Sequence, residues 1–166
     1  MTRQEITEFY RTHHQRLFNI SLRILHDSGE AEEVMQDTIL KFVTAPGTFS
    51  SEAQVSAWLA RTCIRASIDR LRRRQREADF LTEYGQASSG SADVPGGDTG
   101  PLPGIPEIRA AMDALPEPYR LMLNLVLIEG LDYGEIAAMT GRKETTLRSL
   151  YARGRAKLAD SLKRKI

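Results

Sequence analysis

The sequence predicts an all-α protein: two small helical domains joined by a flexible linker, the C-terminal one containing a helix-turn-helix. Three observations carry this. Apolar residues recur at threes and fours in every periodic stretch, and none alternates as a strand would. Between Glu77 and Gly104 the composition turns to Gly, Ser, Pro and Asp, which separates residues 1–76 from 105–166. Finally, Leu131 to Leu158, LDYGEIAAMTGRKETTLRSLYARGRAKL, has the spacing of two helices turning at a glycine.

A chain of 166 residues with 41% hydrophobic content can bury compact cores. Its net charge of +1 announces no polyanion partner, so any electrostatic case rests on local distribution. Cys63 is the single cysteine, which excludes an internal disulfide, and its apolar neighbours make it a core residue. The start, MTRQEITEFY, lacks an apolar signal core, and no run approaches the roughly 20 apolar residues of a bilayer span. A cytoplasmic location without direct membrane insertion is expected.

Taken in order, Ile6, Phe9, Tyr10, His13, Leu17, Ile20, Ile24 and Leu25 outline an amphipathic first helix ending near His26 and Asp27. His13, His14 and His26 lack ligand spacing, so no metal is expected. Asp27 with Glu30 reads as a capping-box start for a second helix. Its Ala31, Val34, Met35, Thr38 and Phe42 make one apolar face, while Glu30, Glu33, Gln36, Asp37 and Leu40 form an exposed stripe. Thr44 to Gln54 is a loop, and Phe49 is its one aromatic, suited either to stack on a base or to anchor the loop to the core.

From Val55 to about Arg76 a third helix sets Ile64, Ile68 and Leu71 on one side and Arg61, Arg65, Arg72 and Arg76 on the other. Asp69 is placed to pair with Arg65 or Arg72, and Arg70, Arg73 and Arg74 are expected to widen the stripe. So much arginine on one helix invites a polyanion. Past the linker, whose acidic residues have no lysine or arginine among them, Ile105 to Leu115 and Tyr119 to Glu129 are helical. Leu121, Leu125 and Ile128 are expected to pack beneath the two-helix unit.

In that unit Asp132 and Glu135 predict a helix from Tyr133, and Gly141 predicts its stop. The second helix would bring Lys143, Glu144, Thr145, Thr146 and Arg148 to base edges, with Arg153, Arg155 and Lys157 suited to phosphates. No nucleophile–base pair, metal set or phosphate loop is present, so neither catalysis nor a cofactor is expected.

The order LPEPYRLMLNLVLIEGLDYGEIAAMTG, then TTLRS and Arg153, resembles the C-terminal DNA-binding region of bacterial sigma factors of the extracytoplasmic-function (ECF) group. DSGEAEEVMQDTILKFV resembles the segment of that family that docks on the clamp helices of core RNA polymerase. By that resemblance Gln36 and Asp37, with Glu33 beside them, are polymerase contacts. The Phe49 loop corresponds to the one that captures a flipped promoter base. Trp58, Leu59, Asp69, Leu71 and Arg72 match the segment that reads and melts the minus-ten element, which implies contacts from Arg61, Arg65, Arg72 and Arg73. Lys143, Thr145, Thr146, Arg148 and Arg153 would then read the minus-thirty-five element. An anti-sigma factor, membrane-anchored in some systems, is the further partner the family implies.

This sequence departs from the family pattern at several places. Arg65 stands where asparagine is usual, Lys143 where a capping Ser or Thr is usual, Thr145 where glycine is usual, Leu150 where a basic residue is frequent, and Ile39 where Phe is frequent. Two alternatives therefore stand beside the sigma-factor reading: a sigma-like module that sequesters an anti-sigma factor without reading DNA, and an autonomous helix-turn-helix regulator.

Overall fold

The computed structural model describes residues 1–83 and 104–163, with 77–83 described as backbone alone. Every regular element among the described residues is helical, and the chain divides into two units. The first holds α1 (Arg3–Leu25), α2 (Ser28–Thr44) and α3 (Glu52–Glu83).

Local chemistry fixes where these helices begin and end. The Thr2 hydroxyl accepts from the Glu5 N–H at 3.2 Å, and the Glu5 carboxylate accepts from the Thr2 N–H at 2.7 Å, a complete capping box. His26 ends α1 in the left-handed conformation at φ 53°, its N–H donating to the Leu22 carbonyl at 2.8 Å. Asp27 then accepts from the Glu30 N–H at 2.9 Å and starts α2. The Glu30 carboxylate leaves this cap half-made because it pairs with Arg74 on α3.

The third helix departs from expectation. It continues past Arg76 to Glu83, because no glycine or proline interrupts Glu77 to Glu83 and the first glycine comes at Gly85. The rest of the expected linker, 84–103, lies outside the described residues.

One face of each helix is buried: Leu17, Ile20, Ile24 and Leu25 from α1, Ala31, Val34, Met35, Ile39 and Phe42 from α2, and Leu59, Cys63, Ile64, Ile68 and Leu71 from α3. Each large side chain among them contributes about 1.5–3 kcal/mol by leaving water. Cys63 is a core residue, its thiol donating to the Leu17 carbonyl at 3.3 Å. Beside it Ser21 and Ser67, both fully buried, place their hydroxyl oxygens 2.8 Å apart.

The second unit contains α4 (Ile105–Asp113), α5 (Glu117–Leu123), α6 (Tyr133–Thr140) and α7 (Glu144–Lys163). A π-helical turn, Asn124–Ile128, extends α5. Ala111, Met112, Leu115, Leu123 and Leu158 form a core on which Tyr119, Tyr151 and Leu162 pack. Gly154 is buried where α7 meets α5: a Cβ there would lie 3.3 Å from the Cβ of Tyr119.

Here a second expectation is corrected. Leu125 is fully buried and Leu121 half-buried, but Ile128 is 37% exposed. The wider π-helical turn, closed by the Glu129 N–H donating to the Asn124 carbonyl, shifts the apolar register, so Leu127 and Ile128 turn outward.

Candidate nucleic-acid and partner interfaces

The two-helix unit has the predicted form. The Asp132 side chain accepts from the Glu135 N–H at 2.8 Å and opens α6. Gly141, at φ 71°, closes it, its N–H donating to the Ala137 carbonyl at 2.8 Å. Lys143 precedes α7, and its carbonyl accepts from the Leu147 N–H at 3.1 Å.

On α7, Leu147, Gly154 and Leu158 are buried. With about 100° between successive residues, the opposite face between residues 144 and 157 consists of Thr145, Ser149, Ala152 and Ala156, all exposed. These side chains are short, so another surface can come close to the helix backbone. Arg148 and Arg155 border one edge of this strip, and Thr146, Arg153 and Lys157 border the other. All the sequence-predicted residues here, Lys143, Thr145, Thr146, Arg148 and Arg153, are exposed. Ser149 and Ala152 share this strip with Thr145 because they stand i+4 and i+7 from it. Three basic side chains lie over rings: Arg148 over Tyr133 at 5.4 Å, Arg155 over Tyr151 at 5.6 Å and Lys157 over Tyr119 at 5.5 Å.

On α3 the arginines separate into two sets. Arg61, Arg65, Asp69, Arg72 and Arg76 follow one face, where Arg61, Arg65, Asp69 and Arg76 are exposed and Arg72 half-buried; Arg73, also exposed, extends its edge. Arg70 and Arg74, expected to widen this stripe, turn instead toward α2. Arg70 pairs with Glu33 at 2.6 Å and stands 3.9 Å from Asp37. Arg74 pairs with Glu30 and donates to the Leu25 carbonyl at 2.8 Å. The carboxylates that engage Arg70 and Arg74 in these pairs thus come from α2. Helical geometry explains the split, since Arg70 and Arg74 sit about 140° or more from Arg65 around the axis.

Outward from α2 face Glu33, Gln36, Asp37 and Leu40, the leucine 59% exposed, as the sequence predicts, whereas Glu30, expected in the same stripe, is half-buried because it turns to pair with Arg74. Phe42, Phe49 and Trp58 meet with centroids 5.7–6.2 Å apart, and Phe9 stacks on Phe42 at 4.5 Å. Of the two roles open to Phe49, this placement matches the anchor: the half-buried ring ties the loop after α2 to the first residues of α3.

The histidines serve local structure. His14 donates from Nδ1 to the Tyr10 carbonyl at 2.8 Å, and His13 packs on Phe9 at 4.5 Å. Burial, reinforced by Arg16 and opposed by Glu52, pushes the His13 imidazole below its ordinary value.

A three-helix unit with one arginine-lined face, followed by a unit that ends in a helix-turn-helix, defines a two-unit all-α protein that presents basic helices. Residues 9–77 match the family model of Sigma-70 region 2, and residues 105–158 match that of Sigma-70, region 4. The ECF RNA polymerase sigma factor SigM of Mycobacterium tuberculosis is 30% identical over 159 residues, covering 95% of this chain and 76% of that protein. The ECF RNA polymerase sigma factor EcfG of Rhodopseudomonas palustris is 31% identical over 147 residues, covering 87% and 76%. The fold also matches the sigma factor RpoE, solved in complex with the anti-sigma factor NepR from Bartonella quintana. That match has a TM-score of 0.63 and 21% identity, covering 96% of this chain and 98% of that one. The chain belongs to the ECF sigma factors, a family of transcription initiation factors that are not enzymes. Among the described residues, no helix is long and apolar enough to cross a membrane.

Proposed function

We propose that this chain binds core RNA polymerase, directs it to specific promoters and helps open them, each unit making one set of contacts. Residues 1–76 dock on the clamp helices through Glu33, Gln36 and Asp37, with exposed Leu40 adding apolar contact beside them. The same unit engages the minus-ten element through Arg61, Arg65, Arg72 and Arg73, with Phe49 holding the neighbouring loop in place. Residues 105–166 read the minus-thirty-five element: Lys143, Thr145, Thr146 and Arg148 lie toward base edges and Arg153 toward phosphate. The protein acts in the cytoplasm, and an anti-sigma factor is its natural regulator. The work is done by binding energy, with no reaction assigned to any residue.

The observation that carries this is the segregation of arginines on α3. Arg70 and Arg74 are held by carboxylates of α2, whereas Arg61, Arg65 and Arg72 follow the opposite face. A row of guanidinium groups sharing one helix face makes a continuous basic edge that suits a polyanion, and a merely basic composition would not produce it. Arg65, in place of the family's usual asparagine, then contributes charge or stacking to contacts with the separated strand.

Run-off transcription with purified core polymerase on a genomic fragment library provides the test. Discrete transcripts that require this protein are expected, and they should fall away steeply with added salt. Polymerase binding without any selected transcript would favour the anti-sigma-sequestering alternative. DNA binding without polymerase binding would favour the autonomous regulator.

A further inference from the structure

One edge of α7 carries two rings in contact, each with a cation over it. The Arg148 guanidinium lies 5.4 Å from the centroid of the Tyr133 ring. Tyr133 meets Tyr151 edge to face at 6.2 Å, and Arg155 lies 5.6 Å from the Tyr151 centroid. The order is Arg148, Tyr133, Tyr151, Arg155. Tyr133 is the first residue of α6, while the other three belong to α7, so the series crosses between the two helices of the motif. Both rings are half-buried and both arginines exposed, an arrangement in which the fold fixes the rings and the rings hold the cations.

An exposed arginine is a poor reader of bases until its direction is set. Its long side chain samples many rotamers, and ordering them on contact costs binding free energy. A ring face beneath the guanidinium attracts the cation through its quadrupole and narrows that sampling in advance. Arg148 lies about 100° around the axis from buried Leu147, at the border of the strip Thr145, Ser149, Ala152 and Ala156. Held over Tyr133, it stays at that border instead of sweeping through solvent. Arg155, two turns on, is held likewise over Tyr151.

We propose that Tyr133 and Tyr151 are positioning residues that align Arg148 and Arg155 along one edge of the reading helix, Tyr133 thereby setting the base preference that Arg148 imposes. This rests on the reading of Arg148 as a base contact given above. The contribution comes from the π-face, so the phenolic hydroxyl is dispensable.

The test is selection from a randomised upstream promoter element by holoenzyme assembled from core polymerase and the full chain. Arg148→Ala should abolish preference at one or two positions. Tyr133→Leu and Tyr133→Met should weaken preference at those same positions by about two- to fivefold, the range an exposed cation–π contact supplies. Tyr133→Phe should retain it, and the salt dependence of binding should be the same in all Tyr133 variants. If Arg148→Ala alters selection while Tyr133→Leu and Tyr133→Met do not, the positioning role is overturned and the reading of Arg148 stands. If Arg148→Ala selects the wild-type sequence, both fall. Equal loss at every position, in Tyr133→Phe as much as in Tyr133→Leu, would reduce Tyr133 to a scaffold residue and overturn the proposal.

Discussion

Ser21 and Ser67 offer a way to measure what seals α1 against α3 behind the arginine stripe. Both are fully buried, and the Ser67 oxygen stands 2.8 Å from the Ser21 oxygen and 2.8 Å from the Cys63 carbonyl. A carbonyl can only accept, so the single Ser67 proton goes there and the Ser21 hydroxyl supplies the proton between the two serines. The two alanine substitutions should therefore differ. Ser21→Ala removes one hydrogen bond but leaves the Ser67 proton satisfied, a loss of about 0.5–1.5 kcal/mol. Ser67→Ala strands the Ser21 donor in the core, where the Leu17 carbonyl one turn back already receives the Cys63 thiol, and costs about 1–3 kcal/mol. In the double variant no donor is stranded, so its cost should fall short of the sum by about 1 kcal/mol. Urea unfolding followed by Trp58 fluorescence is the assay, because the chain's single tryptophan lies in this unit beside Phe42 and Phe49. Strict additivity, or Ser21→Ala costing more than Ser67→Ala, would refute the assigned proton order.

Two further outcomes are expected. Gly154→Ala should fail to give the roughly 1 kcal/mol that alanine usually adds inside a helix, because the new methyl would sit 3.3 Å from a Cβ attached directly to the α5 backbone. Gly154→Leu should cost about 3 kcal/mol and speed amide exchange in α5 and α7; a stabilised alanine variant would show that the two helices can separate freely. For His13, a folded pKa below the unfolded value near 6.5 means that the unfolded chain binds the proton first on acidification. Its contribution is thus fully present above about pH 6.5 and is lost as the pH falls from there through the lowered folded value. His13→Gln should lose less stability than wild type between about pH 7.5 and 5.5 in Trp58-monitored melts, and parallel slopes would remove His13 from the acid response.

Much of this protein is set by local rules that a sequence displays directly. Helix periodicity, the Asp27 and Asp132 caps and the Gly141 stop depend on residues a few positions apart, and the structure has each where the spacing puts it. The exposed faces of α2 and α7 follow from the same turn angle, which also places Ser149 and Ala152 in line with Thr145. Arg70 and Arg74 mark an intermediate case: the turn angle already separates them from Arg65, but only the packing of α2 beside α3 decided that their partners would be Glu33, Asp37 and Glu30. The remaining features belong to tertiary structure alone. A π-helical turn that exposes Ile128, an inward-facing Phe49, the Gly154 contact with Tyr119 and the Arg148 contact with Tyr133 each join residues or registers that local spacing leaves undetermined. Periodicity tells a side chain which way to face along its own helix, but which surface it meets there is settled by how the helices pack, a sum over contacts distant in sequence.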